Sequence, residues 1–200
     1  MTSADLLAFL PLALGLLATG VAAGILAGLL GVGGGIVIVP VLFNLFPLLG
    51  IEEAVRMHLA VGTSLATIIP TSIMSMRAHH GKGAVDWALL KSWAPAIALG
   101  VLAGTVLGAS AKGWVLTAIF GSVAVLVSIN MAFRKEGMIL AEQLPGGPVK
   151  QAIAGIIGLF SVMMGIGGGT FGGSLMTLYG RPIHRAGATA AGWGVAIGLP

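Results

Sequence analysis

The sequence predicts an all-α fold, a polytopic transmembrane helix bundle built from two homologous repeats. Of its 200 residues, 57% are hydrophobic and only 8% are charged, which leaves too little polar surface to coat a water-soluble globule. Residues 31–35 read Gly-Val-Gly-Gly-Gly and recur as Gly-Ile-Gly-Gly-Gly at residues 165–169. These are the first and second glycine breaks. Each lies inside a long apolar stretch, so each half is predicted to open with a glycine-broken helix pair.

A second repeated segment supports the duplication. Residues 60–70 read Ala-Val-Gly-Thr-Ser-Leu-Ala-Thr-Ile-Ile-Pro, and residues 190–200 read Ala-Ala-Gly-Trp-Gly-Val-Ala-Ile-Gly-Leu-Pro. The identical positions are Ala60 and Ala190, Gly62 and Gly192, Ala66 and Ala196, and Pro70 and Pro200. We therefore divide the chain into a first transmembrane repeat at 1–134, a polar cytoplasmic linker at 135–150 and a second, incomplete repeat at 151–200.

Charge-free apolar runs place the expected helices in order. The first helix is predicted over residues 6–30, with Gly20, Gly24 and Gly28 on one face, where another helix can approach closely. The segment after the first break, residues 36–46, is about 16 Å long as a helix, roughly half the hydrocarbon thickness, so it cannot span alone. The other helices are predicted at 53–76, 87–107, 112–133, 151–164 and 170–180, and from residue 183 onwards.

The basic loops predict the topology. Residues 77–91 and 134–150 each hold three Lys or Arg residues, which places both loops in the cytoplasm. The basic turn, residues 181–185, is external if each broken unit crosses the bilayer once and cytoplasmic if the unit dips in and returns. The second arrangement leaves only Arg56 and Lys112 outside and fits the positive-inside rule better. It predicts inverted repeats, with the two breaks entering from opposite faces and meeting near the midplane.

Several other functions lack support. There is no cysteine, so neither a disulfide nor a thiolate metal site can form. His79 and His80 are adjacent without a third ligand nearby, and no metal site is predicted. Gly167-x-Gly169-x-x-Gly172 matches a dinucleotide-binding pattern, but no strand precedes it. The net charge of +4 is scattered through short loops, which argues against a nucleic-acid partner. We expect neither an enzyme nor a cofactor, because no nucleophile, base and orienting group can be placed together.

The glycine breaks are the candidate binding site. Each glycine costs a helix about 1 kcal/mol relative to alanine, and backbone groups freed in lipid are tolerated where they line a cavity or meet protein partners. Amides at the start of the short helices, near Ile36 and Thr170, present partial positive charge to an anion. The alternative is that the glycines only allow close helix crossing. Their duplication at equivalent positions favours a site.

Polar side chains near the breaks are candidates to complete this site. Thr63 and Ser64 lie on the repeated helix, and further candidates are Thr67, Ser174, Thr177, Tyr179 and Trp193. Ser and Thr in membrane helices also often bond their own backbone, which is the simpler alternative. The predicted substrate-binding residues are Gly31, Gly33, Gly34, Gly35, Thr63, Ser64, Gly165, Gly167, Gly168, Gly169 and Thr170.

The paired breaks, the Ala-Val-Gly-Thr-Ser segment at residues 60–64 and the basic loop followed by Val85-Asp86-Trp87 together resemble the sulfite exporter TauE/SafE family. The resemblance implies a bacterial-type inner-membrane permease for small anions such as sulfite or sulfonates. It also implies that the matching glycines of both breaks, with Thr63 and Ser64, belong to the site. The second copy departs from the pattern, since Trp193 and Gly194 stand where Thr63 and Ser64 would repeat.

The expected function is therefore a multi-pass permease of the cytoplasmic membrane that moves a small anion by alternating access. A non-transporting scaffold or assembly subunit is the alternative, because the glycine ridges 20, 24, 28 and 100, 104, 108 could bind partner helices. A homo-oligomer is compatible with either function. Two further helices follow residue 70 in the first half, and their counterparts would need roughly 60 to 65 residues after Pro200. We therefore expect the chain to be truncated at its C-terminus.

Overall fold

The computed structural model describes residues 17, 20, 21, 24, 25, 34–133 and 144–199. Within these residues every regular element is helical, which confirms the predicted all-α fold. The candidate residues Gly31 and Gly33 lie outside the described residues, as does most of the predicted linker. The elements in chain order are α1 (Gly35–Leu45), a 3₁₀ turn (Phe46–Leu49), α2 (Glu53–His80), α3 (Trp87–Ser110), α4 (Gly113–Phe133), α5 (Gly147–Met164), a π-helical turn (Gly169–Gly173), α6 (Ser174–Leu178) and α7 (Ile183–Gly198).

Four helices of the described part, α2, α3, α4 and α5, are long and apolar enough to cross a membrane. Helix α1 has 11 residues and is too short to span a membrane, as predicted. It ends in a 3₁₀ turn, after which Gly50 adopts the left-handed conformation with φ 72° and turns the chain. Many large apolar side chains on the outer faces are exposed, among them Leu99, Val106 and Leu126. These faces suit contact with lipid, where apolar exposure carries no penalty.

Helix ends extend beyond the apolar runs used to predict them. Helix α2 continues to His80 rather than residue 76, and its last turn carries Arg77, His79 and His80, whose basic groups complement the helix dipole. Helix α5 begins at Gly147 rather than residue 151, inside the segment predicted as linker. Pro148 lies in its first turn, where the fixed φ of proline favours helix initiation.

The expected α-helix at 170–180 is replaced by a π-helical turn and the short helix α6. Gly169, Gly172 and Gly173 supply no side chains to support a regular turn here. A Cβ on Gly172 would overlap the indole ring of Trp193 on α7, so glycine allows this close contact. Single π-helical turns of this kind are rare and occur frequently at functional sites.

Helices α3 and α5 cross at backbone contact. A Cβ on Gly100 would overlap the carbonyl oxygen of Gly155, and one on Gly104 would lie 2.6 Å from the carbonyl oxygen of Leu159. A Cβ on Gly158 would likewise overlap the carbonyl oxygen of Ile97. Such close approach is the known use of small residues in membrane helices. The ridge predicted on α3 is therefore filled by a helix of the same chain.

The two copies of the repeated segment pack against each other through α2 and α7. A Cβ on Gly198 would lie 3.0 Å from the carbonyl oxygen of Leu65, and one on Gly194 would overlap the hydroxyl of Ser72. Trp193 of α7 stacks on Trp93 of α3, with ring centroids 5.5 Å apart and planes inclined by 19°. This packing places α7 between α2, α3 and the second glycine break.

Candidate functional site

The second glycine break begins with a left-handed glycine at the end of α5. Gly165 has φ 64° and ψ 32°; its amide donates to the carbonyl of Val162 at 3.1 Å, and the amide of Ile166 donates to the carbonyl of Ser161 at 2.9 Å. This pattern is a Schellman motif, which closes a helix and turns the chain. Because a side chain disfavours positive φ, glycine is required here.

The structure brings Gly35, at the described end of the first break, into direct contact with the second break. A Cβ on Gly35, the first residue of α1, would overlap the carbonyl oxygen of Gly165 and lie 2.9 Å from the Cα of Ile166. A Cβ on Gly165 would in turn lie 3.0 Å from the Cα of Val61 and 3.1 Å from a methyl of Val39. Gly35 and Gly165 are therefore packed backbone against backbone, at the meeting point of α1, α2 and α5.

Ser64 connects the repeated helix to this contact. Its hydroxyl is fully buried and donates a hydrogen bond of 2.7 Å to the carbonyl oxygen of Gly165. The carbonyl is one of those that a terminated helix leaves without a partner in its own backbone. A side chain of the first half therefore satisfies a backbone group freed by the break in the second half.

The rest of the second break packs on α2 and α7. A Cβ on Gly168 would lie 2.6 Å from the carbonyl oxygen of Ala190 and 3.0 Å from the Cβ of Trp193. At Gly167 the nearest atom is a methyl of Ile68 at 3.5 Å, an ordinary contact distance. Thr170 is only 1% exposed, and its side chain or backbone has interactions of its own.

The remaining candidate residues differ in how deeply they are buried and in which face of a helix they occupy. Gly34 and Gly169 are half-buried at the starts of α1 and of the π-helical turn, and neither element has a side chain capping its first turn. Thr63 is exposed, next to Ser64 but on another face of α2. The structure thus brings together Gly35, Ser64 and the second break, and it leaves Thr63 on the surface of the described part.

Ser161 is a residue near the break that the sequence analysis missed. It is fully buried one helical turn before Gly165, and its hydroxyl has no hydrogen-bond partner in the part of the chain that the structure describes. Buried polar side-chain groups without a hydrogen-bond partner are uncommon in proteins. The available signal was a lone hydroxyl in an apolar run just before a glycine break.

The chemistry of this region is uncharged. Its polar groups are backbone amides and carbonyls together with the hydroxyls of Ser64, Ser161 and Thr170, all deep among apolar side chains. The start of α1 adds the positive end of its helix dipole. Among the described residues no group of three or more His, Cys, Asp or Glu could hold a metal. The arrangement offers neutral hydrogen-bonding groups deep among apolar side chains.

The family model described as "Sulfite exporter TauE/SafE" matches residues 16–200. The chain belongs to the sulfite exporter TauE/SafE family. It is 37% identical over 186 residues to a protein of Haemophilus influenzae named "Probable membrane transporter protein", covering 92% of this chain and 69% of that relative. A probable membrane transporter protein of Methanocaldococcus jannaschii is 28% identical over 190 residues, covering 94% of this chain and 69% of the relative.

A third relative, a probable membrane transporter protein of Xylella fastidiosa, is 31% identical over 150 residues, covering 73% of this chain and 55% of its own length. No solved structure matches the chain. The family and its relatives, together with several apolar helices, identify a multi-pass membrane protein of a transporter family.

Proposed function

We propose that this protein carries small anions, such as sulfite, sulfonates or related organic anions, across the cytoplasmic membrane by alternating access between two inverted halves. The substrate-binding region is the contact between the two glycine breaks. The observation that carries the proposal is the buried contact of Gly35 with Gly165, completed by the Ser64 hydroxyl on the Gly165 carbonyl.

The placement of these backbone groups supports a binding role. Broken helix ends inside a membrane protein are costly unless the freed groups line a cavity or meet partners. One freed carbonyl has Ser64 as its partner, whereas the hydroxyl of Ser161 has none among the described residues. In the proposal, a hydrogen-bonding substrate that reaches this point uses the Ser161 hydroxyl. Anions suit the site because helix starts present amide donors and positive dipole ends.

Alternating access gives the contact a mechanical role. In the present conformation Gly35 seals against Gly165, and Gly168 seals against α7. In the proposed cycle, relative movement of the halves opens this contact so that an anion reaches the amides of the breaks. The anion then takes hydrogen bonds from groups that otherwise bond to protein, and the halves close again on the other side.

The scaffold alternative has weaker support. One of the two glycine ridges that motivated it, at Gly100 and Gly104, is occupied by α5 of the same chain. The other retains open space in the described part, since a Cβ on Gly20 or Gly24 would meet nothing within 4 Å there. A scaffold function would not require the breaks to pack on each other.

The test is sulfite and sulfonate flux into proteoliposomes that contain the full-length protein. Gly34→Leu and Gly168→Leu each place a large side chain at a break, and we expect both variants to lose flux. Gly34→Leu should remain folded in detergent, because the nearest atom to its Cβ position among the described residues is a side-chain methyl of Ile38 at 3.3 Å. Gly168→Leu should also lose stability, because its Cβ would lie 2.6 Å from the carbonyl oxygen of Ala190, so its flux is measured per folded molecule. Gly121→Leu is the matched control, because Gly121 lies on a face of α4 that is exposed in the described part of the chain, where nothing lies within 4 Å of its Cβ position. Unchanged flux in both break variants would refute the proposed site. Absence of flux in the wild-type protein with every anion tried, alongside a stoichiometric co-purifying partner, would favour the scaffold.

A further inference from the structure

A cavity of about 110 Å³ lies away from the glycine breaks, between the loop at residues 83–86 and the basic turn at residues 181–185. The loop belongs to the first half and connects α2 to α3, whereas the turn belongs to the second half and includes the first residues of α7. The cavity is far smaller than the roughly 300–1,000 Å³ of sites for drug-sized ligands. It accepts a small ion and excludes a nucleotide.

Charged groups line this cavity. The lining residues include Arg181, Arg185, Thr189 and Asp86, whose side chains end in two guanidinium groups, a hydroxyl and a carboxylate. The lining residues therefore carry a net positive charge. Planar guanidinium groups are well matched to oxyanions because they can donate two parallel hydrogen bonds.

Asp86 is already anchored without Arg181. Its Oδ1 accepts the amide of Leu89 at 3.0 Å as the N-cap of α3, and its own amide donates to the Oγ1 of Thr189 at 3.0 Å. By contrast, Oδ2 is 3.7 Å from Nη1 of Arg181, and the two side chains are 34% and 46% exposed. Ion pairs this long and this exposed contribute little to stability. Arg181 is therefore free to exchange its partner at small cost.

We propose that this cavity is an entry site that binds a small oxyanion between Arg181 and Arg185, and that the arriving anion displaces Asp86 from Arg181. The inference rests on the proposed transport of small anions. The ion pair joins the loop of one half to the turn of the other, and its exchange removes one weak contact between them while the hydrogen bond from the Asp86 amide to Thr189 remains. The entry site therefore receives the anion at a point where the two halves meet.

The experiment measures sulfite binding to the full-length protein by calorimetry, in nanodiscs of phosphatidylcholine, with gluconate holding the ionic strength constant. Arg181→Gln and Arg185→Gln each remove one charged donor, and we expect affinity to fall by about tenfold to a hundredfold. Arg77→Gln is the matched control, because Arg77 is an exposed arginine at the end of α2 that does not line the cavity. We expect the control to bind sulfite as the wild type does.

Asp86→Asn tests the exchange itself. Asparagine is as good an N-cap as aspartate, so α3 keeps its cap, but the carboxylate that competes for Arg181 is gone. We expect sulfite to bind several-fold more tightly, by about the amount that a weak exposed ion pair contributes. A purely structural role for the pair predicts no gain, and equal affinity in the wild type and Asp86→Asn would overturn the exchange.

Three further outcomes separate the explanations. The same variants are also compared in nanodiscs that contain phosphatidylglycerol. If they bind that lipid less tightly than the wild type does but bind sulfite with unchanged affinity, the cavity is a lipid headgroup site and the entry-site proposal is wrong. If the variants bind sulfite as tightly as the wild type does, and proteoliposomes with the wild-type protein transport sulfite, the entry-site proposal is wrong and the permease proposal is supported. If sulfite binding behaves as expected but no flux occurs, the site stands as an anion site and the permease fails.

Discussion

The chain uses glycine in two ways, and the contrast between α3–α5 and the breaks shows what separates them. Gly100, Gly104 and Gly158 lie inside continuous helices and only remove side chains so that two backbones can touch. Gly165 also allows backbone contact, but it ends a helix in the left-handed conformation and frees a carbonyl that Ser64 must satisfy. Close packing alone is structural. Close packing combined with a broken hydrogen-bond ladder places polar backbone groups in the interior, where a substrate can use them.

The largest expected effect is a loss of stability at the crossing of α3 and α5, where glycine serves close packing alone. Gly100→Leu places a side chain where the backbone of Gly155 lies, and neither rigid helix can move away locally. We expect a loss of stability of more than about 3 kcal/mol, at or beyond the usual range for overpacked cores. Size-exclusion chromatography and thermal unfolding of the detergent-solubilised protein measure the effect. Gly121→Leu should behave as the wild type, and equal stability of both variants would contradict the crossing described here.

Gly165→Ala tests the glycine that both allows backbone contact and ends a helix. Alanine at φ 64° costs about 1–2 kcal/mol from the left-handed conformation alone, and its Cβ would be 3.0 Å from the backbone of Val61. We expect a moderate loss of stability, and a loss of sulfite flux larger than the folded fraction explains. Unfolding in denaturant measures the stability, and flux per folded molecule measures transport. Flux that falls only in proportion to folding would assign Gly165 a structural role.

Ser64→Ala leaves the buried carbonyl of Gly165 without its donor. An unsatisfied buried group of this kind costs about 1–3 kcal/mol, so the thermal midpoint should fall. Thr71→Ala is the matched comparison, since the Thr71 hydroxyl is exposed and bonds to the carbonyl of Thr67 in its own helix. We expect that control to change stability by no more than about 0.5 kcal/mol. Equal effects at both positions would mean that the bond to Gly165 is not special.

The smallest expected change in stability is at Ser161. Because its buried hydroxyl has no partner among the described residues, Ser161→Ala should be neutral or stabilising by about 1 kcal/mol. If the hydroxyl serves the substrate, sulfite affinity and flux should nevertheless fall. Thermal unfolding and flux measured on the same preparation separate the two effects. A loss of stability without a change in flux would identify Ser161 as a structural residue.

Much of the fold was accessible from the sequence because it depends on composition and local pattern. The apolar runs located α2, α3, α4 and α5, and the glycines at 165–169 located the helix interruption in the second half. The close packing of Gly100 and Gly104 followed from their four-residue spacing. The helix ends were less accessible, since His80 and Ser110 continue helices beyond the apolar residues that signalled them.

The site was predicted at the level of segments but not of side chains. Nothing in the sequence separates Thr63 from Ser64, because which of two neighbouring hydroxyls faces Gly165 depends on the rotation of α2 about its axis. The unpartnered state of Ser161 depends on what surrounds it in space. The approach of Arg181 to Asp86 joins residues far apart in the chain, and no local pattern marks it.

The most direct test of the central claim, that the contact between the breaks opens to admit an anion, is labelling of a thiol at Ser64. None of the 200 residues is cysteine, so Ser64→Cys introduces a single reactive group into this sequence at the buried contact. Arg77→Cys, at the exposed end of the same helix, is the control. In transporting vesicles we expect Ser64→Cys to react with a maleimide and a transported sulfonate to slow that reaction, with no protection at Arg77→Cys. A thiol at Ser64 that stays unreactive during transport, or reacts at the same rate with and without the sulfonate, would contradict the account.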